Sequence, residues 1–434
     1  MTDPTAVAFY TALGIFALTY AGIFTLRISR TVLAIAGAVM MTALGTWMAF
    51  YGPEPALGSI DADTITLLFG MMVVVALFRE TGFFQFVAIR AAKWAHGKPW
   101  LLLIYLGAVT AVVSMVLDNV TTILILVPVT TSLADILGVS PIPFLMGEVL
   151  SSNIGGVGTL IGDPPNILIG SAAGFSFVDF VVHLLPIVIL VWIAAQALLL
   201  VLFRRQLFHV PAQVESLMRM DERRAVVDPR TTRRMLIVLG GTVLLFFLHQ
   251  SLGIGPGLVA LFGASAGLLW VRPDFEKILK EVHWDVLLFF IALFVLVGGL
   301  EASGVTAAAG AQIASLARHG SYFPMLIVLW FGALASGVVS NVPLTIAMLP
   351  VFKGMAAQGI AVEPLWWALA LGVGFGANLT PLASAANVVV SSLAASIGEP
   401  LTFRKWLQTG TRVALASCAI ASIALVAAHA IGWI

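Results

Sequence analysis

The sequence predicts an all-α polytopic membrane protein made of two inverted repeats, with about ten transmembrane helices, two re-entrant hairpins and two unwound helices. Three observations predict it. Apolar runs of about 18 to 25 residues recur along the chain, each long enough to cross a bilayer. Charged residues make up only 10% of a sequence that is 60% hydrophobic, with mean hydropathy +1.05. Two polar, Gly- and Pro-containing interruptions in the first half return in register in the second. Soluble domains carry roughly 25% charged residues, so 434 residues of this composition are not two or three soluble domains.

Composition also excludes several function classes. A net charge of +1, with no basic arm, gives no case for nucleic acid. The single cysteine, Cys418, excludes an intramolecular disulfide framework and a Cys-rich metal centre. His96, His183, His209, His249, His283, His319 and His429 are scattered without ligand spacing, so neither a metal nor a cofactor is expected.

The elements follow in order. A first span over 4–26 lacks the pattern of a cleavable leader, is expected to be retained, and ends at Arg27 and Arg30. A second over 31–51 leads to an acidic loop with Glu54, Asp61 and Asp63, and a third over 64–77 to Arg79, Arg90, Lys93 and Lys98. The excess of Lys and Arg places those basic loops in the cytoplasm and both termini outside. Residues 99–137 are too few for two full crossings and are interrupted by Asp118-Asn119, which fits a re-entrant hairpin. A span over 144–173 is broken in its middle by the run from Ser151 to Ser171, which holds five Gly, two adjacent Pro, two Asn and one Asp. Pro removes amide donors and Gly weakens helix, so this run cannot be one helix. At membrane depth such backbone is tolerated only when buried in protein or lining a wet cavity.

After a span over 178–202 comes a charged stretch, 204–234, with eight Arg against two Glu and two Asp. It reads as a solvated cytoplasmic linker between an N-terminal repeat, 1–203, and a C-terminal repeat, 235–434. The second half repeats the order: spans over 235–251, 255–270 and 286–300, a hairpin over 322–355, a broken span over 365–393 and a last span over 407–431.

The halves match residue by residue. Ser114, Asn119 and Pro128 align on Ser336, Asn341 and Pro350, and Gly155 to Ser171 aligns without gaps on Gly376 to Ser392. Thr159 falls on Thr380 and Asn166 on Asn387. Two polar breaks per half in matching places is the pattern of secondary transporters, whose solutes bind near the midplane between discontinuous helices.

Broken helices leave free N–H groups at one end and free carbonyls at the other. Around them, Asn119, Asn153, Asn166, Asn341, Asn378 and Asn387 donate and accept, and Thr121, Thr159, Thr380 and Ser340 add hydroxyls. With the backbone of Gly155 and Gly156 these form the candidate solute site. For any one Asn or Thr the plainer role is to cap a broken helix. Asp118, joined by Asp163, is the leading candidate for proton or ion coupling, since intramembrane acids mark such pathways; Glu148 is a weaker one. Their counterparts are Ser340 and Ser384, so the acids break the internal symmetry, and either acid could instead be an N-cap. No basic residue falls in any of the four breaks. The run Gly155-Gly156-Val157-Gly158 lacks the context of a phosphate loop, and no enzyme is expected.

At these motifs the sequence resembles a known superfamily. SNIGGVGTLIGDPPNILIGS, LDNVTTILILVPVT and GANLTPLASAANVVVSS are similar to the ion-transporter superfamily that includes ArsB-type arsenite permeases, NhaD-type sodium/proton antiporters, the melanosomal P protein and, more distantly, sodium-coupled dicarboxylate transporters. The resemblance implies a scaffold domain, a transport domain and two hairpins, and extends to a homodimer and a soluble ATPase partner. The dicarboxylate branch has Ser-Asn-Thr at each hairpin tip; here the tips are Asp118-Asn119-Val120 and Ser340-Asn341-Val342, closer to the arsenite-permease, P-protein and NhaD branch. The expected function is proton-coupled efflux of arsenite and antimonite by alternating access across the inner (plasma) membrane. A neutral trihydroxide needs hydrogen bonds rather than a counter-charge. The alternatives are a sodium/proton antiporter, and then a passive metalloid channel or an organic anion transporter.

Overall fold

The computed structural model describes residues 4–25, 28–208, 214–308 and 322–434, and among these every regular element is a helix. Leu26 and Arg27, where the first expected span ends, lie outside them, as do His209 and His319. The chain begins with α1 (Pro4–Thr25), α2 (Arg30–Trp47), the short α3 (Pro53–Gly58), α4 (Ala62–Arg79) and α5 (Phe83–Trp94). A hairpin of α6 (Pro99–Ser114) and α7 (Asn119–Leu137) follows, then α8 (Ile142–Gly156) and α9 (Pro164–Ala173) on either side of the first unwound stretch, then α10 (Phe177–His183) and α11 (Leu185–Leu202). The linker holds α12 (Arg204–Leu207) and α13 (Val214–Arg219). The second half runs α14 (Pro229–Leu252), α15 (Pro256–Val271), α16 (Phe275–Glu281) and α17 (Trp284–Ala302). A second hairpin, α18 (Phe323–Ser336) and α19 (Asn341–Ala357), leads to α20 (Glu363–Gly376) and α21 (Ala385–Ser396) around the second unwound stretch, and α22 (Phe403–Ala430) ends the chain.

Among the described residues eight helices are long and apolar enough to cross a membrane, or nine if α9 and α10, bent by 111°, form one span. The sequence suggested about ten. The difference arises because α15 has only 16 residues and each unwound span is two short helices, while α7, with 19, has span length by itself.

The helices sort into two packed groups. In the first, α4 lies on α15 and α2 on α17, with α1 against α2 and α14 against α15. Apolar helices gain little from each other in lipid except through close approach of small residues. Gly37 of α2 meets Thr19 of α1, where an added Cβ would come within 2.3 Å of the threonine hydroxyl. The same contact recurs between Gly263 of α15 and Thr242 of α14, again at 2.3 Å. In the second group α6 packs on α8 and α18 on α20, while α7 meets α21 and α9 meets α19, so each half supplies helices to the other.

Two readings of the charged segments change. The bases Arg90 and Lys93, expected in a plain loop, lie on the amphipathic helix α5, whose Phe84, Ala88, Ala91 and Ala92 are buried. The linker, expected to be solvated, is strapped down: Leu217 is buried, Val227 N–H donates to Thr81 O at 3.0 Å, and Glu222 receives Arg90 and Lys93 at 2.5 Å each. These bases sit one turn apart on one face of α5, the spacing that lets both reach a single carboxylate.

Lys93, then its own backbone amide and Arg90, hold the Glu222 carboxyl down at about 2, below its ordinary 4.5. A depressed carboxylate stabilises the folded form above the ordinary value, and the contribution is lost as pH falls toward the folded one. Protection of the 214–227 amides, taken as intrinsic over observed exchange at each pH, should therefore fall as pH drops from about 5 to 2. Glu222→Gln should lower that protection at neutral pH and remove its pH dependence; unchanged protection in the variant would refute the strap.

Candidate functional site

The four interruptions converge, and their side chains do two different jobs. One set braces the breaks. Thr159 Oγ1 donates to Met115 O at 2.5 Å, and its counterpart Thr380 donates to Gly337 O at 2.7 Å. Asn166 Nδ2 donates to the carbonyls of Gly156, Val157 and Thr159 at 3.3, 3.0 and 2.8 Å. Asn387 Nδ2 does the same for Ala377 and Thr380 at 2.7 and 2.9 Å. Carbonyls orphaned where α8 and α20 end are thus satisfied by one amide in each half, the plainer capping role for these four residues.

Behind the breaks lies a buried amide knot. Asn153 Nδ2 donates to Asn378 Oδ1 at 2.8 Å and Asn387 Oδ1 at 2.9 Å, and Asn153 Oδ1 accepts from Ser384 at 3.3 Å. Asn153, Asn378 and Asn387 are all fully buried. Gly155 is tight for a different reason: a Cβ there would stand 2.3 Å from Ala111 O, and one on Gly156 2.7 Å from Asn119 Oδ1. Of the residues expected to bind solute, then, Thr121, Asn153, Gly155, Gly156, Thr159, Asn166, Asn378, Thr380 and Asn387 support the site from behind.

The remaining ones face a cavity of about 230 Å³ between the two helix groups. Asp118, Asn119, Asp163, Ser340, Asn341 and Ser384 line one wall. Asn119 Oδ1 accepts from Ser114 and, at 3.3 Å, from Ser152. The opposite wall comes from α2, α4 and α17, and carries Met71, Met72, Phe289 and Phe290 with Arg30, His283 and Asp285. A roomier hollow of about 480 Å³ under the linker, lined by Gln85, Ile125, Ser132 and Met220, holds none of the expected site residues.

The two acids differ. Asp118 is the N-cap of α7: its carboxylate accepts from Thr121 N–H at 2.9 Å and from Thr121 Oγ1 at 2.5 Å. Asp163 precedes α9 but its side chain makes no capping bond: Pro164 and Pro165 offer no N–H, and the Asn166 N–H goes to the Asp163 backbone carbonyl at 2.9 Å. Its two carboxylate oxygens instead receive Asn341 Nδ2, at 3.3 Å each, from the other half of the chain. Ser340, the counterpart of Asp118, stands at φ 60°, where L side chains are rarely found, so the second hairpin tip holds strained backbone at the cavity. Among the described residues no cluster of three or more His, Cys, Asp or Glu forms a metal site.

Sequence reasoning missed Arg30, His283 and Asp285. The expectation of a site without bases rested on the breaks alone; the cavity adds Arg30 and His283 from the facing wall. Arg30 was legible only as the flank of a span, and His283 as one of several scattered histidines, since their partners lie hundreds of positions away. Thr31 Oγ1 donates to Asp285 O at 3.0 Å, which fixes the starts of α2 and α17 side by side.

Comparison with known proteins agrees with this architecture. The chain is 39% identical to the 46 kDa membrane protein of Mycobacterium leprae, across 95% of this chain and 97% of that one. It is 31% identical to the human P protein, across 97% of this chain and 60% of the longer relative. The solved YdaH transporter of Alcanivorax borkumensis shares the fold, with TM-score 0.61 over 99% of both chains at 15% identity. Residues 20–372 match the family described as citrate transporter, and the chain is a multi-pass membrane transporter that belongs to that family.

Proposed function

We propose that the chain is a proton-coupled secondary transporter that exports a small uncharged oxyacid, with the trihydroxides of arsenite and antimonite as solutes. One observation carries the reading: Asp163 faces the cavity beside the neutral donors and acceptors Asn119, Asn341, Ser340 and Ser384, while Asp118 on the same wall is engaged as the cap of α7. Citrate, the solute in the family's description, would bring three carboxyl groups to walls already holding Asp118, Asp163 and Asp285, opposed by Arg30 and His283. It would enter only with its charge largely neutralised. In this reading the two repeats are oppositely oriented, the linker is cytoplasmic and the termini are outside. The group that carries the breaks moves against the group of α1, α2, α4, α14, α15 and α17, so the cavity opens to each side in turn, and differences in affinity set the direction.

A sodium/proton antiporter is the second reading, favoured by the excess of carboxylates in the cavity. Proteoliposome flux separates the two. Arsenite or antimonite uptake driven by an imposed pH gradient is expected, with sodium-driven proton movement absent. Sodium-dependent proton flux without metalloid movement would replace the first reading by the second, and citrate flux would replace both.

A further inference from the structure

Helix α10 hangs on a histidine that the cavity does not use. The first N–H groups of a helix have no partner within it. Ser176 and Asp179 form a capping box at the start of α10, and the Phe177 N–H that they leave over donates to His249 Nε2 at 3.3 Å. His249 stands in the last turn of α14 and is buried, and its Nδ1 lies 3.1 Å from Ile254 O. A carbonyl only accepts and a backbone N–H only donates, so the ring is fixed as the neutral tautomer with its proton on Nδ1. The Phe177 ring adds to the joint, stacked on Phe246 at 5.6 Å and edge-on to Phe247 at 5.0 Å. The joint crosses between the two helix groups. α14 packs on α15 in the first, whereas α10 turns by 111° from α9, which meets α19, and leads to α11, which lies on α8.

We propose that His249 is a proton-released latch between the two groups. Neutral, it ties the elbow of α9 and α10 to α14. A second proton would set an Nε2–H against the Phe177 N–H and put a positive charge at the N-terminal end of α10, against the helix dipole, so the charged ring lets go. Imidazole is the side chain whose charge changes between pH 5 and 8. The other titratable groups at the joint are Asp63 of α4 and, on α10 itself, Asp179 and His183. Asp63 accepts the Gly257 N–H at 3.0 Å and is close enough for its charge to act on His249. Asp179 is held by Ser176, and His183 Nδ1 donates to Asp179 O at 2.8 Å; α15 brings no titratable residue. The inference rests on the alternating-access reading, in which α14 ends on the outer side, so acid outside frees the group that carries the breaks. The latch sets the rate of that movement and leaves coupling to the acids of the cavity.

Two uncharged replacements separate a latch from a merely structural histidine. His249→Gln keeps an acceptor for Phe177 at every pH, and His249→Ala removes it at every pH. In the full-length wild type, protection of the 177–183 amides, taken as intrinsic over observed exchange, should fall about fivefold from pH 8 to about pH 5.5, the worth of one hydrogen bond. It should stay high throughout in His249→Gln and low throughout in His249→Ala. Downhill exchange of arsenite or antimonite, with equal pH on both sides of the vesicle, should follow. The wild type should match the slow His249→Gln at pH 8 and the fast His249→Ala at pH 5.5, whatever protonation of Asp163 does to all three. A flat wild-type protection profile, a pH-dependent one retained in His249→Gln, or equal exchange rates in the two variants would overturn the latch. So would nitrogen NMR showing His249 of the wild type as the Nε2–H tautomer at pH 8, even if neither variant folded. Absence of arsenite and antimonite movement in all three proteins would remove the proposed solutes and leave the latch to be decided by the protection profiles.

Discussion

Replacing Asp163 by Asn should reduce gradient-driven uphill flux in proteoliposomes to the level of protein-free liposomes, while downhill exchange of solute persists. Asp163 is 3% exposed, lines the cavity and makes no cap, so its carboxyl is not needed to hold α9. Asn has the same shape and keeps an oxygen to accept Asn341 Nδ2, so the hairpin contact survives while the titratable group does not. Asp118→Asn should be milder, because Asn is as good an N-cap as Asp and Thr121 keeps its acceptor. The sequence favoured Asp118 as the proton carrier, with Asp163 second; the capping bonds of Asp118 and their absence at Asp163 reverse the order we expect. Uphill transport retained in Asp163→Asn but lost in Asp118→Asn would hand the role back to Asp118.

Gly155→Ala and Gly376→Ala should each destabilise the protein by about 1–3 kcal/mol, the usual range for overpacking. A Cβ on Gly155 would stand 2.3 Å from Ala111 O and one on Gly376 2.4 Å from Ala333 O. The obstacle is main chain in both cases, and backbone within a packed helix pair cannot step aside as a side chain could. Gly240→Ala, in the middle of α14 with nothing within 4 Å of its new Cβ, is the control and should leave stability unchanged or raise it by up to about 1 kcal/mol. Thermal unfolding in detergent compares the three. Equal midpoints would show that the two crossings are looser than drawn.

Much of this architecture is written locally. Apolar runs and the Gly-Pro interruptions announce helices and breaks because both follow from a few consecutive residues. The repeat is legible because Ser114, Asn119, Thr159 and Asn166 recur as Ser336, Asn341, Thr380 and Asn387, and the paired hydrogen bonds of Thr159 and Thr380 explain why they recur together. The division of labour among the asparagines was not legible. Asn166 and Asn341 are the same residue in similar company, and only the fold decides that one braces carbonyls while the other faces the cavity. Arg30, His283 and Asp285 were out of reach for a related reason: a cavity wall is a long-range fact, and no spacing records it. Helix α5 was hidden by its bases, whose partner Glu222 lies about 130 positions downstream.

The amide knot has a mechanical consequence. Asn153 belongs to one half of the chain and Asn378 and Asn387 to the other, and all three are sealed from water. Prising the halves apart at that point would strand several donors and acceptors at once, so the two broken spans are expected to move as a single body. Whichever cargo a stroke carries, both halves of the cavity wall therefore travel with it.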